Sequence, residues 1–308
     1  MSVQPDEKIA LEVLRLRFSQ MFVNQGNKQK QFKCPIHLAF GHEAIAVALV
    51  AVLKPKDWML LTHRNIHYNL ARSRSLRMKI DEFLGKECGE AGGQLGCMNL
   101  YNEQAGILYT SSILGNQMGV AAGVALGNRV KQSDGVVAAI LGDGAIEEGI
   151  FHESLLMMKT FRCSALVIVE NNGWSLGTQI HERRCDIKLD VWAASLDLPY
   201  YHLQGNDVYQ YIESLQDAYA KALSAETPVI VEVALRTLGD WRMKTEEHPN
   251  GKYINYHAGP APTVELADRA VIEESDSDPT HVLKQHFETD LLNRMSESVL
   301  AGLRKELQ

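Results

Sequence analysis

The sequence predicts a doubly wound α/β fold, a mostly parallel sheet with helices on both faces. Three observations carry this. Residues 135–141, 165–170 and 229–234 are short strand-length runs, apolar but for Glu170 and Glu232, without the polar alternation of a half-exposed strand. Helical patterns over 147–160 and 208–223 separate them, the order of strand and helix that builds parallel sheets. With 45% hydrophobic and 22% charged residues, the 308-residue chain has ample material for a full core.

The remaining elements follow in order. Residues 6–24 read as an amphipathic helix, with Ile9, Val13, Leu14 and Met21 at helical spacing, and 25–33 as a polar link. Residues 43–53 are a helix apolar almost all round, which implies burial on every side. A short apolar strand over 58–61 ends in Thr62-His63-Arg64. Residues 85–96 hold five glycines, a loop suited to close approach to another group. Residues 114–126 form a helix rich in small residues, and 241–262 are a long irregular stretch. An acidic link over 273–278 precedes helical segments that run to 308, and no internal repeat is present.

Charge and cysteine usage narrow the function. The balance of 31 Lys+Arg against 38 Asp+Glu gives −7, which argues against a nucleic-acid binder needing a basic face. The longest apolar run, 44–53, is too short to span a bilayer, and the first residues lack a secretory signal. Five cysteines without a C-x-x-C pair suit neither a disulfide framework nor a zinc site, so a reduced, cytoplasmic protein is expected.

Chemistry concentrates between Gly142 and Thr178. The apolar strand 135–141 runs into Gly142-Asp143-Gly144 and a helix start, and the strand 165–170 runs into Asn171-Asn172-Gly173-Trp174. Either motif alone is compatible with an ordinary turn. Together, on two parallel strands, they emerge at one carboxyl edge, where open α/β sheets bind ligands. Asp143 would then face an Asn amide oxygen across a short gap. A carboxylate, an amide oxygen and a backbone carbonyl are hard ligands for Mg²⁺ or Ca²⁺. The flanking glycines allow backbone N–H groups to approach a phosphate.

These residues resemble the signature of the alpha subunits of thiamine-diphosphate-dependent 2-oxo acid dehydrogenases of the pyruvate, branched-chain and acetoin type. Here the signature reads GDGAIEEGIFHESLLMMKTFRCSALVIVENNGWSLGT, within a likeness over residues 9–235 and a looser one in DPTHVLKQHF. The resemblance implies a thiamine-diphosphate-binding fold over 34–262, with a helix and link over 1–33 and a helical extension over 263–308. It implies Mg²⁺ on Asp143, Asn172 and the Trp174 carbonyl, and a diphosphate lined by Gly142, Gly144 and Ala145 and held by His63 and Arg64. The planar fork of Arg64 suits phosphate; an exposed arginine near a helix start is the alternative. Ser112 and Leu114 in SSILGNQMG match the segment whose backbone meets the aminopyrimidine. His37 in PIHLAFGHEA matches an active-site histidine, with a purely structural histidine as the alternative.

The departures qualify the reaction. Where the family has a histidine two residues after the diphosphate arginine, this chain has Ile66, with His67 one position later. Asn99 in LGCMN stands at another family histidine, and residues 235–243, LRTLGDWRM, lack the family's Tyr-Arg-x-x-Gly-His-Ser loop. Residues 236–262 instead carry Tyr256-His257-Ala258-Gly259-Pro260, which resembles a transketolase segment and nominates His257 beside His37 and His67 as catalytic; a structural or surface role for His257 is the alternative.

The resemblance also implies that the activating Glu for the cofactor's pyrimidine lies on a separate beta subunit. This chain is then half of an α₂β₂ enzyme acting on a 2-oxo acid or ketol, with a lipoyl domain as an acyl acceptor. The helices at 43–53 and 114–126 are candidate interface elements, burial within one domain being the competing reading. A split transketolase-like transferase and a non-catalytic scaffold are the other readings; no G-x-G-x-x-G follows a strand to support dinucleotide binding.

Overall fold

A computed structural model describes residues 5–308; the first four residues of the 1–33 segment lie outside the described residues. The elements in order are α1 (Glu7–Lys28), α2 (Glu43–Val52), β1 (Trp58–Leu61), α3 (Ile66–Ser73), α4 (Leu76–Phe83), β2 (Ile107–Thr110), α5 (Asn116–Val130) and β3 (Val137–Gly142). Then come α6 (Gly149–Thr160), β4 (Ala165–Asn171), β5 (Trp174–Ser175), β6 (Thr178–Gln179), α7 (Ile180–Arg183), α8 (Leu189–Ser195) and β7 (Tyr200–Leu203). The chain finishes with α9 (Val208–Ser224), β8 (Pro228–Ala234), β9 (Trp241–Met243), β10 (Lys252–Ile254), α10 (Pro279–Val282) and α11 (Thr289–Leu307).

Six strands form one sheet in the order β2-β1-β3-β4-β8-β7, and every neighbouring pair is parallel. Alternate residues of the central strands serve the two faces. Ala138, Ile140, Leu166 and Ile168 face a core completed by α1, α2, α9 and α11. Val137, Ala139, Leu141, Val167 and Val169 face a second core under α5, α6 and α8. Burial on both faces is why these strands read as unbroken apolar runs.

The termini are fastened to the centre by one buried cation. Arg17 on α1 is fully buried and pairs with Glu43 at 2.7 Å and Asp278 at 2.9 Å, and it donates to the Ala270 carbonyl at 2.8 Å. The amphipathic pattern expected over 6–24 therefore includes an arginine on its inward face. Helix α1 also continues to Lys28, shortening the expected link.

Three further differences have local causes. Strands β2 and β7 escape sequence reading because each is a four-residue edge strand, too short to show a period. The stretch 241–262, expected to be irregular, contains the antiparallel pair β9–β10. Helix α2 is buried except along Val50 and Ala51, because it packs against α9 and α3 within this chain. That departs from the expected all-round burial only at Val50 and Ala51, and it favours the competing reading, burial within one domain. The open helix is α5, where a methyl group at Gly123 or Gly127 would meet nothing within 4 Å. Among the described residues, no helix is long and apolar enough to cross a membrane.

Candidate active site

Parallel pairing brings the strand ends to one edge. Gly142 stands beside Glu170 in the β3–β4 register, so Asp143 and Asn172 leave the sheet as neighbours. Strand β1 ends at the same edge with Thr62, His63 and Arg64. Together with Leu114, Gly142, Gly144, Ala145, Trp174 and His257, these residues line one small cleft. Ten of the residues expected at the site therefore meet in space. Ser112 is exposed and lies outside the cleft lining, and His37 and His67 stand behind it.

Asp143 is almost fully buried. Burial pushes its carboxyl upward, and the Arg183 guanidinium, 2.6 Å from Oδ2, works in the opposite direction. Arg183 and Arg184 also share Glu147, at 2.6 and 2.9 Å. Asn172 accepts the Trp174 N–H on Oδ1 at 3.0 Å and donates through Nδ2 to Thr237 Oγ1 at 3.2 Å. The expected open gap between Asp143 and the Asn172 amide is thus already in use: each oxygen has a donor from the segment that follows β4.

Arg64 is buried beneath the cleft. It donates to the Leu38 carbonyl at 2.5 Å and its guanidinium carbon lies 5.8 Å from the centre of the Tyr256 ring. Three imidazoles surround it. His37 lies 4.9 Å from His63 and 5.1 Å from His257, edge to face, and His63 lies 6.0 Å from His257. Burial, then the positive charge of Arg64, pulls His37 down to about 2, His63 to about 3 and His257 to about 4. All three are neutral near pH 7, so each can donate and accept a hydrogen bond.

A second polar cluster supports the floor. Glu170, buried inside β4, accepts from Tyr68 at 2.9 Å, His67 Nε2 at 3.0 Å and His42 Nδ1 at 3.2 Å. Burial alone would raise this carboxyl, but the imidazoles of His67 and His42 hold it below the usual carboxylate range. His42 is kept neutral by burial, so with Nδ1–H on Glu170 its Nε2 accepts the Thr237 hydroxyl proton at 2.9 Å. Thr237 in turn accepts from Asn172. The chain Glu170–His42–Thr237–Asn172 thereby fixes which end of the Asn172 amide points toward the cleft. His67 sits wholly below that surface, with Nδ1 buried and unpartnered.

Glu170, Thr237 and Arg183 went unrecognised in the sequence. Glu170 alone left a signal, as the single carboxylate at the end of the otherwise apolar run 165–169. Thr237 and Arg183 left none, since their partners are 195 and 40 residues away.

The family model described as dehydrogenase E1 component matches residues 12–241. The chain belongs to the dehydrogenase E1 component family. Pyruvate dehydrogenase E1 component subunit alpha of Rhizobium meliloti is 29% identical to this E1 chain over 197 residues, 64% of this chain and 57% of that protein. The subunit alpha of Bacillus subtilis acetoin:2,6-dichlorophenolindophenol oxidoreductase is 26% identical over 266 residues, 86% of this chain and 77% of that one. The E1 chain thus spans between about half and three quarters of the length of these curated relatives. Among solved structures, Campylobacter jejuni transketolase aligns with 98% of this chain and 49% of its own, at a TM-score of 0.61 and 15% identity, a likeness of fold.

Proposed function

We propose that this E1 chain is the alpha subunit of a thiamine-diphosphate-dependent 2-oxo acid dehydrogenase, and that it holds the Mg²⁺–diphosphate half of the cofactor. The observation that carries the reading is the meeting of Asp143, Asn172 and Trp174 with His63 and Arg64 at one sheet edge. The donor set fits: carboxylate, amide and backbone oxygens suit Mg²⁺. Gly144 sits against Ser175 with no room for a side chain, since a methyl group there would lie 2.9 Å from Ser175 Oγ, which leaves its backbone N–H free to face a phosphate. Residues 34–262 form the cofactor-binding part, and 1–33 and 263–308 brace it.

When bound, thiamine diphosphate supplies a carbon nucleophile for the substrate carbonyl and an electron sink for cleavage of the adjacent C–C bond. The chain's own residues position and protect. Arg64 and His63 would direct donors at the diphosphate, aided by the backbone around Gly142, Gly144 and Ala145. His257, in the cleft, would carry protons to and from the substrate oxygen with His37 packed behind it, and burial, aided by Arg64, keeps both neutral in advance. His67 acts from below, through Glu170. Leu114 lines the cleft and would border the aminopyrimidine.

The activating carboxylate comes from a separate beta subunit, giving an α₂β₂ assembly in the cytoplasm that takes a 2-oxo acid and passes the acyl group to a lipoyl domain. The presence of His257 in the cleft favours a second reading, a split transketolase-like enzyme that transfers a ketol or acyl unit. The intact cation set disfavours a non-catalytic scaffold. Native mass spectrometry of the tagged chain from its source cells, with Mg²⁺ and thiamine diphosphate, is the test. A 2:2 complex with two cofactors that reduces an artificial electron acceptor with a 2-oxo acid supports the dehydrogenase. Silence there, with carbon–carbon bond formation on an aldehyde, supports the transferase. Asp143→Asn should abolish either activity, and an unchanged activity would leave the scaffold.

A further inference from the structure

The five-glycine loop over 85–96 makes its close approach to its own chain. It winds around Glu82 at the end of α4. Glu82 Oε2 accepts the Ala91 and Gly93 N–H groups, each at 2.8 Å, and Oε1 accepts those of Leu95 at 2.8 Å and Gly96 at 3.0 Å. Two of the glycines are required by that winding. A methyl group at Gly89 would lie 2.6 Å from Glu82 Cα, and one at Gly93, where φ is 70°, would lie 2.4 Å from the Gly85 carbonyl carbon. The loop therefore delivers Cys97 to one fixed place, where the Cys97 carbonyl accepts from Asn65 Nδ2 at 3.0 Å.

Asn65 follows His63 and Arg64 and stands just before α3, where an asparagine side chain ordinarily accepts from the N–H groups of the first turn. It makes no such bond. Buried, it shares its two amide protons among the carbonyls of Thr62 at 2.9 Å, His63 at 3.2 Å and Cys97. Its Oδ1 accepts from Asn69 Nδ2 at 2.8 Å. Asn69 Oδ1 in turn faces the buried Lys79 at 3.5 Å, and Lys79 pairs with Glu90 of the same glycine loop. Holding the Thr62 and His63 carbonyls fixes the peptide planes on both sides of His63, and with them the directions in which His63 and Arg64 leave the backbone. Resting on the diphosphate contacts proposed above for these two residues, we propose that Asn65 is a positioning residue for His63 and Arg64, and that the 85–97 loop wound on Glu82 holds it in place.

Calorimetric titration of the full chain with Mg²⁺ and inorganic diphosphate is the test, with hydrogen exchange of residues 91–97 alongside. Asn65→Ala should weaken diphosphate binding at least tenfold. Asn65→Asp, of the same shape but without a proton to donate, should weaken it as much. Ile212→Ala, a core deletion on α9, lowers stability away from the cleft and should leave the affinity within twofold of wild type. Glu82→Gln should raise exchange over 91–97 and weaken binding at least threefold, and Arg64→Gln should abolish binding. Binding lost in Arg64→Gln but within twofold of wild type in Asn65→Ala or Asn65→Asp overturns the positioning role and leaves the diphosphate reading standing. A loss in Ile212→Ala as large as that in Asn65→Ala overturns it as well, since lowered stability would then suffice. Raised exchange with unchanged affinity in Glu82→Gln overturns the loop's share. A wild-type chain that binds no diphosphate, or an Arg64→Gln chain that binds it normally, overturns the diphosphate reading and the positioning role with it.

Discussion

His42 and Glu170, 128 positions apart in sequence, meet at 3.2 Å inside the sheet edge, and that contact settles the proton positions of everything above it. The carboxylate claims Nδ1–H, Nε2 is left to accept from Thr237, and Asn172 is left to donate to Thr237. A candidate metal ligand is therefore oriented by a buried anion it never touches.

The orientation can be broken at Thr237. Valine there keeps the shape but leaves His42 Nε2 and Asn172 Nδ2 unpaired, at a cost of about 1–3 kcal/mol in stability. Mn²⁺ affinity should fall about tenfold as the amide loses its set direction. Urea unfolding and Mn²⁺ titration of Thr237→Val and Thr237→Ser separate the two effects, because serine should restore both. Unchanged Mn²⁺ affinity in the valine variant would sink the orienting role.

The three imidazoles around Arg64 predict a pH response. Their folded values of about 2, 3 and 4 lie below the unfolded value of 6.5. As pH falls below 6.5 the unfolded chain takes up protons that the folded chain refuses. Stability from this source is complete above pH 6.5 and declines as the pH falls toward 4. Glu170, held below its usual range, adds a loss only under about pH 4.5. Urea midpoints at pH 5, 6 and 7 should therefore fall steadily on acidification. His37→Gln should flatten the slope by up to about 1.4 kcal/mol per pH unit. A slope identical in the variant would show that His37 is already protonated in the folded chain.

Arg17 should be the costliest single residue to remove from the terminal bracing. Arg17→Met keeps much of the volume but strands Glu43 and Asp278 as buried anions, a loss of about 3–5 kcal/mol. The triple variant that also carries Glu43→Gln and Asp278→Asn should recover part of it. Denaturant unfolding of the full chain measures both, and a single-variant loss under about 1 kcal/mol would mean that water reaches the site.

The α/β class, the central strands β3, β4 and β8 and the helices beside them were legible in the sequence because burial on both faces of a strand and on one face of a helix leaves a local period. Gly-Asp-Gly and Asn-Asn-Gly were legible as a pair because each is turn chemistry at the end of such a strand. Tertiary structure alone decided the rest. Edge strands β2 and β7 are too short for periodicity, so only pairing with β1 and β8 defines them. Arg17 and Arg183 read as ordinary charged residues, and Glu170 showed only as a lone carboxylate at the end of an apolar run, since the partners that make burial tolerable come from distant segments. Local pattern dictates where a strand ends. Which side chains meet there, and in which protonation state, depends on burial and on charges that only the folded chain brings together.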